Sequence, residues 1–217
     1  MTAPDAEAEK RLAAEAAAEL VEDGMTVGLG TGSTVAHLLP ALARRKLRIR
    51  CVATSPATER AARELGIPVE EFGQLEGLDI AIDGADQVAP DRWLVKGGGG
   101  AHAREKIVAA AAKRFIVIAD SSKPVERIEP PVPLELAAYG LGATLARVRE
   151  ELGPVEPRDV PPSPDGGVIA DYRGDVDDPA ELASRLGATP GVVDHGLFAP
   201  ELVSQVLVGH GDRVERS

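Results

Sequence analysis

The sequence predicts an α/β fold: a mainly parallel sheet with helices on both faces, joined to a smaller α+β lobe of the split βαβ type. Three observations carry this expectation. Strand-like and helix-like segments alternate up to residue 120, and several of the strands are apolar on both faces, as in a parallel sheet covered on both sides. A Pro-rich stretch, "ERIEPPVPLEL", breaks the alternation near residue 128. A strand–helix–strand–helix–strand succession then follows, and "VSQVLVG" (203–209) supplies one more apolar strand able to return to the large sheet. The expected division is therefore a large domain of residues 1–128 and 203–217 around a small lobe of residues 129–202.

Residues 5–22 carry Leu12, Ala16, Leu20 and Val21 on one stripe, which predicts an amphipathic helix stopped by Gly24. "MTVGLG" (25–30) is a short apolar strand running into "TGST", and 34–46 reads as a helix that Pro40 is expected to kink. "RIRCVAT" (48–54) is a second strand, "SPATERAARELG" (55–66) a helix closed by Gly66, "IPVEEF" a short strand and "LDIAIDGAD" (78–86) a longer one. Residues 101–113 read as a helix and "RFIVIAD" (114–120) as a wholly apolar strand. In the small lobe, strands are expected at "VPLEL", "GVIADYR" (167–173) and "VVDHGLF" (192–198), with helices at 142–152 and 179–187. "PRDVPPSPDGG" (157–167) reads as a loop.

Composition narrows the function. The 217 residues are 44% hydrophobic and 27% charged, ordinary for a globular protein, and aromatics are only 3%, so the core must be Ala, Val, Leu and Ile. A formal charge of −11 argues against a nucleic-acid or anionic-membrane partner. No run reaches the roughly 20 apolar residues of a membrane-spanning helix. The start, "MTAPDAEAEKRLAAEAAAEL", lacks the apolar core of a signal peptide, so the cytoplasm is the expected location. Cys51 is the only cysteine, which excludes an intrachain disulfide and reads as a small core residue. No histidine has metal-ligand spacing.

Four segments can carry chemistry. "GLGTGST" (28–34) places amides and the hydroxyls of Thr31, Ser33 and Thr34 at a helix N-terminus, which suits a phosphate ester or else a tight turn with an N-cap. It is neither a dinucleotide fingerprint nor a Walker loop. "DGAD" (83–86) puts two carboxylates at a strand end, suited to acid–base work or to an Asp-Gly turn. "VKGGGGAHAREK" (95–106) sets four glycines, able to aim amides at an oxyanion, between Lys96 and Glu105. A carboxylate beside a lysine and backbone donors is what proton abstraction next to a carbonyl requires; the bland alternative is a flexible loop and a surface glutamate. "ADSSK" (119–123) offers Lys123 to an anion, as does Lys10 earlier in the chain.

Together and in this order, "VGLGTGST", "TSPAT", "GIPV", "DGAD", "KGGGGAHAREK", "ADSSK", "PLEL" and "PGVVDHGLF" resemble the type A ribose-5-phosphate isomerase family, over about residues 10–209. The resemblance implies a Rossmann-like large domain with a ferredoxin-like lobe. It implies a homodimer or homotetramer acting in the non-oxidative pentose phosphate pathway, without metal or organic cofactor. The implied reaction interconverts D-ribose 5-phosphate and D-ribulose 5-phosphate through a cis-enediolate. By position, Thr31, Gly32, Ser33 and Thr34 bind substrate, the last two nearest the phosphate. Asp83, Gly84, Ala85 and Asp86 lie around the sugar, with Asp83 opening the ring. Lys96 and the amides of Gly97, Gly98 and Gly99 contact sugar oxygens. Glu105 is the base that moves the proton between C1 and C2, Lys123 binds substrate, and Lys10 aligns with a phosphate contact.

Two positions depart from the family pattern: Gln87 stands where an acidic residue is usual, and His102 where an apolar one is common. Neither carries an assigned chemical role. A phosphosugar-sensing regulator domain is the main rival, but the chain has no basic helix-turn-helix segment and keeps Asp83, Lys96 and Glu105 together. An isomerase or deaminase acting on another phosphosugar is a second rival. A nucleotide-binding oxidoreductase is a third, without its fingerprint.

Overall fold

The computed structural model describes residues 5–217. In chain order the elements are α1 (Ala6–Ala18), β1 (Thr26–Leu29), α2 (Ser33–Arg45), β2 (Arg50–Ala53), α3 (Pro56–Glu64), β3 (Ile80–Gly84), β4 (Gln87–Val88), β5 (Leu94–Val95), α4 (His102–Ala111) and β6 (Phe115–Asp120). They continue with β7 (Val132–Leu136), α5 (Leu141–Glu151), β8 (Val155–Pro157), β9 (Val168–Tyr172), α6 (Pro179–Ala188), β10 (Val192–His195), β11 (Leu197–Phe198), β12 (Gln205–His210) and β13 (Arg213–Arg216). The chain divides into two compact units, one of Met1–Ala85, Arg104–Lys123 and Glu201–Ser217, the other of Asp86–Ala103 and Pro124–Pro200.

The first unit is built on a six-stranded sheet in the order β13-β12-β6-β3-β1-β2, parallel except for β13. Period-two alternation sorts its side chains. Val27, Leu29, Ile80, Ile82, Ile116, Ile118 and Leu207 share one core with Ala13, Ala14, Ala17 and Ala18 of α1 and Leu38, Leu39 and Leu42 of α2. The alanines let α1 lie close to the sheet. On the opposite face, a Cβ at Gly28 would stand 2.4 Å from Val108 of α4, so glycine is what lets that helix close down. Helices thus cover both faces, as the sequence predicts.

Local signals explain most boundaries. Ser55 caps α3 by accepting from the Thr58 amide, with Pro56 in the first turn. The first helix ends at Ala18 rather than residue 22, because the Arg45 guanidinium takes the carbonyls of Ala18 and Val21 at its C-terminus. The second helix runs on through Pro40 to Arg45. Cys51 is fully buried in β2, and burial pushes its thiol up to about 12, so it is a packing residue. The strand expected at "IPVEEF" does not form; only an isolated bridge joins Val69 to Cys51.

The second unit holds a four-stranded antiparallel sheet in the order β10-β7-β9-β8, connected as β7-α5-β8-β9-α6-β10. This is the split βαβ lobe, completed by β8, a three-residue strand that ends at Pro157, where the expected loop 157–167 begins. Leu134, Leu136, Ala170 and Tyr172 pack under Leu145 and Val148 of α5 and Leu182 and Leu186 of α6. Pro133, Glu135, Ile169 and Asp171 alternate with them and belong to the other face. The segment "VVDHGLF" is two strands rather than one. At Gly196 the chain donates to Pro133 and accepts from the Lys96 amide (2.9 Å), so His195 stays with β7 while Leu197 pairs with Val95 in a second sheet, β11-β5-β4.

A buried carboxylate ties the first unit together. Glu9 of α1 is 2% exposed; it accepts from the Ser121 amide (3.0 Å) and hydroxyl (2.6 Å), after β6, and from the Gly211 amide (2.8 Å) in the β12–β13 turn. The Gly211 amide and the Ser121 hydroxyl hold its pKa below the ordinary 4.5. A depressed carboxylate stabilises the fold above its unfolded pKa, and that contribution fades as pH falls through the folded value. Glu9→Gln should therefore cost about 1–3 kcal/mol near neutral pH. The gap from wild type in denaturant midpoint should narrow on acidification below about pH 4.5.

Candidate functional site

In the first unit, the loop after β1 meets the end of β3 at the carboxyl edge of the sheet, where open α/β sheets bind ligands. Asp83 is 3% exposed there. Its Oδ1 accepts from the amides of Thr31 (3.0 Å) and Gly84 (2.7 Å), so one carboxylate oxygen joins two strand ends. A Cβ at Gly30 would lie 1.9 Å from that same oxygen, so only glycine fits beneath it.

Thr31 is bound on both of its donors. Its amide meets Asp83, and its hydroxyl meets those of Thr54 (2.8 Å) and Thr58 (3.2 Å). The Thr58 hydroxyl in turn donates to the Gly30 carbonyl (2.9 Å). Thr54 and Thr58 thus fix the loop, and the sequence reading assigned neither a role, although both lie in "TSPAT". Gly32 is the N-cap of α2, with φ of 116° and no side chain to cap the helix. Ser33 is exposed and Thr34 buried in the first turn, where an N-terminus left uncapped by any side chain favours an anion.

Glu105 lies in the first turn of α4 and is 4% exposed. Lys123 is half-buried just past β6; its amide donates to the Asp120 carbonyl (3.2 Å), and Glu9 holds the preceding Ser121. Lys10 places its ammonium on Glu7 (2.7 Å), which also meets His37 (3.0 Å). Gly84 closes β3 and Ala85 is the last residue before the chain passes into the second unit.

In the second unit, Lys96 is the one buried lysine among the described residues. Its amide donates to Gly196 (2.9 Å), and its ammonium lies 5.4 Å from the centre of the Phe198 ring. The glycine run that follows is held on two sides. Asp86 Oδ2 accepts the Gly98 amide (2.7 Å). Arg158 donates to the carbonyls of Gly97 and Gly98, both at 3.1 Å. Gly97 has φ of +102°, and a Cβ there would lie 2.6 Å from Nδ1 of His102, which is fully buried against it. His102 is therefore packed beside the run. Gln87 is bound to the backbone of Glu129 in both directions (2.7 and 2.9 Å), a structural use that needs an amide rather than a carboxylate.

Arg158 was invisible to sequence reasoning. It is one arginine in a Pro-rich loop, with no motif around it.

The family model described as Ribose 5-phosphate isomerase A (phosphoriboisomerase A) matches residues 50–213, more than half of the chain. The chain belongs to the ribose 5-phosphate isomerase A family. Among curated relatives, Ribose-5-phosphate isomerase A of Caulobacter sp. (strain K31) is 46% identical over 94% of this chain and 95% of its own. That of Halorubrum lacusprofundi is 44% identical over 99% of both. The solved ribose 5 phosphate isomerase A from Neisseria gonorrhoeae superposes with a TM-score of 0.94 at 32% identity, covering 98% of this chain and 97% of that one. A D-ribose-5-phosphate isomerase in complex with phospho-erythronic acid gives 0.92 at 33% identity, covering 98% and 99%. A second model, the DeoR C terminal sensor domain, matches only residues 5–69. That span holds the loop and α2 but neither the glycine run nor Glu105.

The Gly30–Asp83 approach generates a test. Gly30→Ala should destabilise the fold by about 1–3 kcal/mol, the usual cost of overpacking, and displace the Asp83 carboxylate. A denaturant midpoint unchanged from wild type would contradict the close approach.

Proposed function

We propose that this chain interconverts D-ribose 5-phosphate and D-ribulose 5-phosphate through a cis-enediolate, with no metal or organic cofactor. Membership of the family carries the reaction. What supports the residue roles is that the Asp, Lys and Glu read from the motifs, Asp83, Lys96 and Glu105, are each 3–4% exposed, where ionisable side chains are rare.

The phosphate takes the N-terminus of α2, with Gly32, Ser33 and Thr34 around it and the charges of Lys123 and Lys10 nearby. Asp83 exchanges protons with the ring oxygen and O1 to open the sugar, and the stretch Asp83–Asp86 borders it. Glu105 then removes the proton from C2 of the open aldose. The electron pair of that C–H bond forms the C1–C2 double bond, and the carbonyl pair moves onto O1. Lys96 and the amides of Gly97 and Gly99 stabilise the enediolate oxygens, while the Gly98 amide is given to Asp86. Glu105 returns the proton to C1 while the O2 hydroxyl proton passes to O1, so that O2 becomes the ketone oxygen and O1 a hydroxyl. One carboxylate serves both directions because it ends each turnover as it began.

The protein acts as a homodimer or homotetramer in the cytoplasm, within the non-oxidative pentose phosphate pathway. Among the described residues no helix is long and apolar enough to cross a membrane.

The decisive assay is conversion of ribose 5-phosphate by EDTA-treated protein. Wild type should turn over, and Glu105→Gln should lose about 10²-fold or more in kcat. Asp83→Asn keeps an acceptor for Thr31 and Gly84, so its stability should stay near wild type while turnover falls at least about 10-fold. Binding of the sugar phosphate without turnover by folded wild type would favour the sensor reading that the match to residues 5–69 suggests.

A further inference from the structure

Arg158 sits where the small lobe meets the glycine run of its own unit. Its guanidinium is gripped by Asp171, with Nε 2.9 Å from Oδ2 and Nη2 2.6 Å from Oδ1. This two-point grip fixes the plane of the guanidinium. The remaining arm, Nη1, donates to both the Gly97 and the Gly98 carbonyl at 3.1 Å. Asp171 is 8% exposed on β9 and belongs to the sheet face opposite the helix-packed core. That face also carries Ile169, whose side chain would meet a Cβ at Gly100 at 3.2 Å. The lobe therefore touches the run at both of its ends.

We infer that Arg158, oriented by Asp171, is the positioning residue that sets which way the amides of the glycine run point. A peptide plane has its C=O and N–H on opposite edges. Holding the carbonyls of Gly97 and Gly98 to the arginine turns the N–H groups of Gly98 and Gly99 the other way. The Gly98 amide duly points to Asp86. Glycines have the widest choice of backbone angles of any residue; the run makes one bond of its own, from the Gly100 amide to the Gly97 carbonyl (3.0 Å), and the rest of its arrangement depends on groups outside it. The arginine is suited to this because both of its other nitrogens are bound to Asp171, which fixes where Nη1 points. Lysine, a point charge on a flexible stem, would lack that fixity.

The inference rests on the proposed reading that the run lies against the sugar. The test combines hydrogen exchange of peptides spanning residues 95–104 with steady-state kinetics and binding of phospho-erythronic acid, whose carboxylate imitates the enediolate. In wild type the analogue should slow exchange in 95–104. An analogue that inhibits without protecting that segment would sink the reading of the site, and the inference with it. With protection established, Arg158→Met should speed exchange of 95–104 in the free protein, lower kcat at least about 10-fold with KM within about threefold, and weaken the analogue by a similar factor to kcat. Arg158→Lys and Asp171→Asn should fall between that variant and wild type, and they carry the same test if Arg158→Met does not fold. Faster exchange with wild-type kcat and analogue affinity would overturn the inference, as would unchanged exchange. A loss confined to thermal stability, with kcat per folded molecule intact, would reduce Arg158 to a structural residue.

Discussion

A carboxylate can be buried at the end of a strand only where donors come to meet it, and Asp83 obtains them from the backbone on either side. The Thr31 and Gly84 amides share its Oδ1, which couples the turn after β1 to the turn after β3. The rest of the loop follows from that coupling. Gly30 must lack a side chain because the carboxylate occupies the space, and Thr31 must turn its hydroxyl back toward Thr54 and Thr58. With Thr31 held at both ends, Gly32 can take its positive φ and open α2 with no side chain over the first turn. The anion-favouring helix end is thus a consequence of where one aspartate finds its hydrogen bonds.

The second unit solves a similar problem with the signs reversed. There a cation, Arg158, is held half-buried by a two-point grip from Asp171 and turned on carbonyls, whereas in the first unit an anion is turned on amides. In both cases the flexible partner is a glycine-rich turn and the rigid partner is a charged side chain at a strand or beside one. Charge-assisted bonds to backbone are stronger than neutral ones, so few of them suffice to hold a segment that has no side chains of its own.

What was legible in the sequence follows the same division. Apolar strands such as "RFIVIAD" declared themselves because a strand covered on both faces leaves no polar position. The glycine positions and the carboxylates of "DGAD" were legible because their residue types are costly unless used. Two-residue strands were not: Gln87–Val88 and Leu94–Val95 are too short to show a period, and the second of them also pairs with Leu197–Phe198, a distant segment. The break of "VVDHGLF" at Gly196 depends on Lys96 and Pro133, both far away in sequence. "IPVEEF" reads as a short strand but gains only one bridge from its neighbour. Arg158 stayed hidden for the same reason as β8: both lie in a Pro-rich stretch whose partners are supplied by β9.

The overall charge explains why backbone groups carry so much of the proposed chemistry. A chain of net charge −11 repels a phosphosugar at long range, so attraction has to be local. Lysines are a weak remedy where carboxylates abound, since Lys10 already shares its charge with Glu7. Amides offer a fixed partial charge that no neighbouring carboxylate can take up by proton transfer. They keep their direction through a turnover in which negative charge moves from one sugar oxygen to the next. The uncapped start of α2 and the clamped glycine run supply such donors, one in each unit. Lys96, the buried lysine beside that run, is the side chain proposed to add to them.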